Sequence, residues 1–142
     1  MFGRPDAIFA PNPSDQKIDG GEKYDYVRPL ATIEPTAISL GLPVNTSFGV
    51  SETDKLQSAL EEPGNRNKVI LIVWEHNLLD KMARSLLASH GGDRKEVPRE
   101  WDPDDFDSIY VIRLSWAGDT AKASFEHKHE EITNLPNECP AR

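Results

Sequence analysis

An α/β domain built on a mostly parallel sheet is what this sequence predicts, and three observations predict it. The first is the run from Lys68 to His76, whose centre, Val69-Ile70-Leu71-Ile72-Val73, is unbroken, apolar and mostly β-branched. It is too short to span a membrane and reads as a strand covered on both faces, as in parallel sheets. The second is the segment after it, where Leu78, Leu79, Met82, Ala83, Leu86 and Leu87 form one helical stripe that Gly91-Gly92 stops. The third is a short apolar run, Asp6 to Ala10, bounded by Pro5 and Pro11, which has the form of a brief buried strand.

In chain order, Pro11 to Glu22 is rich in turn residues and without periodicity, so a long exposed loop is expected there. Leu30, Ile33, Ala37, Ile38 and Leu40 then recur at helical spacing. Gly41 supplies the stop, and Pro35 implies a kink or a late helix start. Leu42-Pro43-Val44 is expected to be extended. Ser51-Glu52-Thr53-Asp54 has the form of a capping box for a helix that buries Leu56, Ala59 and Leu60 and ends at Pro63-Gly64-Asn65.

After the central strand and its helix, Asp93 to Asp107 is a charged loop in which Trp101 and Phe106 are the expected packing anchors. Ser108 to Trp116 is strongly β-prone, Ala117-Gly118-Asp119 makes a turn, and Thr120 to Glu126 alternates with Ala121, Ala123 and Phe125 on one face. An antiparallel hairpin follows from that pattern. The expected organisation is one domain over 1–129 and a loosely held tail over 130–142.

The chain has 142 residues, a formal charge of −8 and 37% hydrophobic residues. That charge disfavours nucleic acid and anionic membrane surfaces, and the densest basic group, Arg94, Lys95 and Arg99, is interleaved with Asp93, Glu96 and Glu100. A single cysteine, Cys139, excludes an internal disulfide and a cysteine zinc site. The first residues lack the apolar core of a signal peptide and no stretch reaches the length of a membrane helix, so a cytoplasmic protein is expected.

Two residues stand out chemically. His76 is placed at a strand end, beside a helix start for which Asn77 is a good N-cap, and helix starts favour anions. Arg28 lies just ahead of the earlier helix and offers a planar donor fork matched to phosphate or carboxylate. Together they suggest a phosphate pocket; the other reading makes His76 a structural histidine and Arg28 a surface arginine. His127 and His129, two apart and near Glu126, Glu130 and Glu131, are read as solvated rather than metal-binding, since a metal needs further ligands held by a supporting shell. His90 is read as answering the dipole of its helix end. No metal and no cofactor are expected.

The segment Arg28-Pro29-Leu30-Ala31-Thr32-Ile33-Glu34-Pro35-Thr36-Ala37 resembles the R-x-x-x-T-x-x-P-x-A helix start of the histidine phosphatase superfamily, the phosphoglycerate-mutase-like fold. Val69 to Asn77 looks like the strand carrying that family's second pocket histidine, and Trp101 with Phe106 to Val111 is similar to its C-terminal strand entry. The resemblance covers roughly residues 5 to 116. It implies a three-layer α/β/α sandwich with a mostly parallel sheet and an antiparallel C-terminal hairpin. It also implies a phosphoric monoester hydrolase working through a phosphohistidine, with Arg28 binding phosphoryl oxygens and His76 hydrogen-bonding the phosphoryl group.

The family's nucleophile belongs to an Arg-His-Gly motif on a first strand, and no Arg-His-Gly occurs in this sequence. The expectation is therefore a family fold lacking its first strand and helix, with a partial phosphate pocket of Arg28, His76 and Asn77 and little or no turnover. Rival expectations are a truncated form of an active phosphomonoesterase, a non-catalytic module for a phospho-ligand or a protein, and a fragment that self-associates through an exposed sheet edge. Asn77 stands where some branches carry an acid and cannot donate a proton as a carboxylic acid does. Glu75 is expected to face away from His76, by the alternation of side chains along a strand, which leaves Asp15, Asp19 or Glu22 as candidate acids.

Overall fold

The computed structural model describes residues 2–131. The chain is mixed α/β and divides into two compact units, Met1–Met82 and Ala83–Arg142. The division falls inside one helix.

The first unit is organised on β1 (Ala7–Phe9), which lies between β4 (Val44–Asn45) and β5 (Ile70–Ile72), parallel to both. Ile8 is opposite Val44 on one side and Leu71 on the other. Because side chains alternate along a strand, Ile8 and Phe9 enter different cores. Ile8 joins Ile33 and Ala37 of α1 (Arg28–Leu40), with Leu71 and Val73 packed against them. Phe9 joins Leu56 and Leu60 of α2 (Thr53–Glu61), together with Trp74 and Met82, and Ile70 and Ile72 pack against these. The sheet is thus apolar on both faces.

Three expectations for this unit need correction. The strand at Lys68 to His76 extends only over Ile70–Ile72, and these residues are half-buried because β5 pairs with β1 alone among the described residues. The expected loop over Pro11 to Glu22 instead contains β2 (Gln16–Asp19), which pairs antiparallel with β3 (Glu22–Asp25). Gly20 and Gly21, at φ 59° and 86°, make the two-residue turn, since a turn of this hand needs positive φ at both central positions. The capping box does not form: α2 starts at Thr53 with Glu52 at its N-cap and no side-chain cap, and Glu52 accepts from Gly49 N–H instead.

The first helix behaves as its sequence implies. Pro35 is carried inside α1 rather than delaying its start. Gly41, at φ 64°, ends it by returning its N–H to Ile38, while Leu42 N–H reaches Ala37.

In the second unit, α3 (His76–Ser89) contributes Ala83 and Leu87 to a core with Val97, against which Tyr110, Ile112, Ala123 and Phe125 pack. The last four come from β6 (Ser108–Ala117) and β7 (Thr120–His129), an antiparallel hairpin that turns at Gly118-Asp119. Ala121, Ala123 and Phe125 face inward, as the alternation predicts. Trp101 packs against Tyr110 with the rings tilted and their centroids 4.7 Å apart. Phe106 is not an anchor: it is 83% exposed. The expected tail lies outside the described residues from 132 onward, and so does Cys139. Among the described residues no helix is long and apolar enough to cross a membrane.

Candidate functional site at the carboxyl ends of β1 and β5

From β1 the chain passes to β4 on one side and then, through α2, to β5 on the other. Ligands of open parallel sheets bind beyond the carboxyl ends of strands where the order reverses in this way. Beyond β1 lie Ala10 and Pro11, both buried, and Asn12, whose N–H donates to Phe48 O at 2.7 Å. Beyond β5 the backbone leaves the sheet after Ile72, and Trp74 turns inward to donate through Nε1 to Val50 O at 2.8 Å. Asp15 holds the same loop by accepting Val50 N–H at 3.0 Å, so this candidate acid is a structural acceptor.

Glu75 is the next residue and it is buried, at 3% exposure. It does not face away from His76. The strand has ended before it, so strand alternation no longer governs its direction, and its Oε1 lies 3.3 Å from His76 Nδ1. Nor is Asn77 the N-cap. The helix begins at His76, and Glu75 Oε2 accepts Leu78 N–H at 3.0 Å, the bond that a capping side chain makes.

Further donors reach the same carboxylate. Asn77 Nδ2 donates to Oε1 at 3.2 Å, and Lys17 Nζ stands 3.5 Å from it. Burial pushes the Glu75 carboxyl up, but the N–H groups of Leu78 and Asn77, then Lys17 and His76, outweigh it and hold the group below its usual range.

Lys17 comes from β2 and also lies over the Tyr26 ring, 5.1 Å from its centroid. The Arg28 guanidinium is 5.6 Å from the same centroid and donates to Tyr24 Oη at 3.2 Å. Tyr26 is buried, and burial, then the Glu75 carboxylate, raise its phenol above the ordinary value against the opposing pull of Arg28. Arg28, Tyr26, Lys17, Glu75, His76 and Asn77 are therefore one neighbourhood, linked through Tyr26 and Lys17.

His76 is engaged at both ring nitrogens. Nδ1 faces the Glu75 carboxylate, and Nε2 is 3.2 Å from Asn77 Nδ2. The His76 side chain keeps 46% exposure.

Sequence reasoning singled out Arg28, His76 and Asn77; it missed Lys17 and Tyr26 and set Glu75 aside. The pairing signal Asp19-Gly20-Gly21-Glu22 was the clue to Lys17, because a hairpin there returns the chain toward Tyr26. Asp19 accepts from Tyr24 Oη at 3.5 Å and Glu22 pairs across the hairpin turn, so neither is presented as an acid at His76.

The other histidines have structural surroundings. His127 Nε2 is 2.7 Å from Ser108 Oγ, and His129 Nδ1 is 3.5 Å from Asp107. His90 packs edge-on against Trp116 at 5.7 Å, and its carbonyl accepts Ala123 N–H. Among the described residues no three His, Cys, Asp or Glu side chains are grouped as a metal would need. Compared with known proteins, the chain matches no family model, no curated protein and no solved structure.

Proposed function

We propose that this chain is a histidine-phosphatase-like domain of three-layer α/β/α architecture whose residues, with no Arg-His-Gly among them, bind a phosphoryl or similarly charged anion without turning it over. The observation that carries the reading is the run of contacts that leads from Arg28 through Tyr26, Lys17 and Glu75 to His76. The resemblance assigns these two residues to the same pocket, and their segments are separated by most of the first unit. The helix packing on both sheet faces is in keeping with the three layers.

A second support is electrostatic. Arg28 is the first residue of α1, whose first turn holds no acidic side chain, and a cation is poorly placed at a helix start unless an anion joins it. Arg28 is exposed, and although one nitrogen of its fork donates to Tyr24 Oη, the planar donor set suits phosphate or carboxylate oxygens.

Neither residue is a nucleophile as it stands. Arginine stays protonated, and both ring nitrogens of His76 already have partners in Glu75 and Asn77. The edge of β5 left unpaired among the described residues supports the accompanying proposal that isolated chains self-associate.

The test is the melting temperature with and without phosphate and phenyl phosphate, for the natural chain and for Arg28→Ala. A rise that Arg28→Ala abolishes is expected, since a ligand that binds only the folded state stabilises it. An equal rise in both, or none, would remove the basis of the reading, and sustained hydrolysis of phenyl phosphate would overturn the claim of no turnover.

A further inference from the structure

His127 and His129 lie two residues apart on β7, opposite Tyr110 and Ser108 of β6, so all four side chains share one face of the hairpin. The two imidazole rings are 4.7 Å apart between centroids and tilted by 36°, and both residues are exposed. We propose that His127 and His129 together chelate one divalent transition-metal ion of the kind that prefers imidazole, copper(II) most tightly and zinc less so.

Spacing along the chain shows a histidine pair without support, and the hairpin supplies the support. Asp105 accepts the Ser108 hydroxyl, and because an ionised carboxylate only accepts, the one hydroxyl proton of Ser108 goes to it. Ser108 Oγ therefore meets His127 Nε2, 2.7 Å away, as an acceptor, which places the ring proton on Nε2 and the lone pair on Nδ1. His129 Nδ1 faces the Asp107 carboxylate at 3.5 Å, a pairing that keeps the proton on Nδ1 and the lone pair on Nε2. Each ring thus has one nitrogen tied to an oxygen and the other open to a metal, which is how outer partners orient histidine ligands. The Tyr110 ring, edge-on to His127 at 5.1 Å, steadies it further.

Rings 4.7 Å apart are close enough to share one ion, because each metal–nitrogen bond is about 2.0–2.1 Å long. Among the described residues no three His, Cys, Asp or Glu side chains are grouped as a closed structural site needs, so water completes the coordination and the ion sits on the surface. Asp105 and Asp107, which hold the two rings, also draw cations to this end of the hairpin.

The test is calorimetric titration of Zn2+ and Cu2+ into the Cys139→Ser chain, so that no thiol takes the ion or is oxidised by copper, and into the same chain carrying His127→Gln, His129→Gln or His90→Gln. One equivalent is expected to bind. His127→Gln and His129→Gln are each expected to weaken binding at least about tenfold, since the second metal bond is no longer made within an already bound pair. His90→Gln should leave the affinity as it was. Binding left unchanged by either of the first two substitutions, or no binding at millimolar ion, would overturn the proposal. The Cys139→Ser chain with its four histidines intact gives a check that no histidine variant's folding affects. In nuclear magnetic resonance Zn2+ is expected to shift the ring signals of His127 and His129 together while those of His76 and His90 stay in place, and a shift at one of the pair alone, or at neither, would overturn it equally.

Discussion

Replacing Glu75 separates two things that one side chain does, and the structure gives the size of each. Glu75→Ala removes the acceptor for Leu78 N–H, a helix cap worth about 1 kcal/mol. It also removes the partner of Lys17 at 3.5 Å; because the Lys17 side chain keeps 31% exposure, that contact is discounted to about 0.5–1 kcal/mol. The alanine variant should therefore lose about 2 kcal/mol. Glu75→Gln keeps the cap and should lose about 1 kcal/mol. For a chain of this length these correspond to melting points lower by roughly 8 and 4 °C.

Acid adds an independent check. The Glu75 carboxyl is held below its ordinary range in the folded chain, so its stabilisation is complete above the unfolded value, about 4.3, and is lost as pH falls from there through the folded value. Urea unfolding followed by circular dichroism at pH 7 and again at pH 3 measures both effects. The gap between the natural chain and Glu75→Gln should narrow at the lower pH. A glutamine variant as unstable as the alanine one, or a gap of unchanged size in acid, would refute the division into cap and charge.

Other substitutions test the frame around this site. Leu56→Ala, at a side chain with 0% exposure in the core shared by α2 and the sheet, should cost about 3 kcal/mol by urea unfolding. Asp15→Ala leaves the buried Val50 N–H without its acceptor and should cost about 1–2 kcal/mol in the same assay, whereas a surface acid would show no loss. Phe106→Ser should change stability by no more than about 0.5 kcal/mol and lessen binding of a hydrophobic dye, because Phe106 contributes exposed surface and no core.

What could be read from the chain beforehand was whatever local chemistry decides alone. The stop of α1 follows from Gly41 past its end, a position where backbone sterics leave few choices, whereas its start at Arg28, with Pro35 inside, is left open by the sequence. The β6–β7 hairpin follows from ten-residue strands alternating about a Gly-Asp turn. Arg28 and His76 could be named because each stands at an element boundary.

What could not be read depended on partners distant in sequence. Ile70 to Ile72 has the composition of a central strand, but only pairing decides whether a strand is central, and here β1 takes that place. Gln16 to Asp25 is mostly polar, its one aliphatic side chain, Ile18, is exposed, and it has no buried face to signal a strand, so only its Gly-Gly turn betrays it. Glu75 was misjudged by an argument that holds within a strand and fails one turn of chain beyond its end.

The two helix starts at this end of the sheet meet the same electrostatic problem in opposite ways. Each presents unpaired N–H groups and the positive end of a dipole. At α3 the chain supplies its own anion, Glu75, and surrounds it with Lys17 and His76. At α1 the cap residue is Val27, which makes no side-chain bond, the first turn has no acid, and a cation, Arg28, is added. Under the proposed reading an anion entering from solvent is drawn to α1 and Arg28, whose first turn carries no acid, whereas the donors of α3 are already held by Glu75. That contrast makes a specific demand on binding data: Arg28→Ala should weaken phosphate binding measured by titration calorimetry, and an affinity unchanged in Arg28→Ala would show that the start of α1 is not where the anion binds.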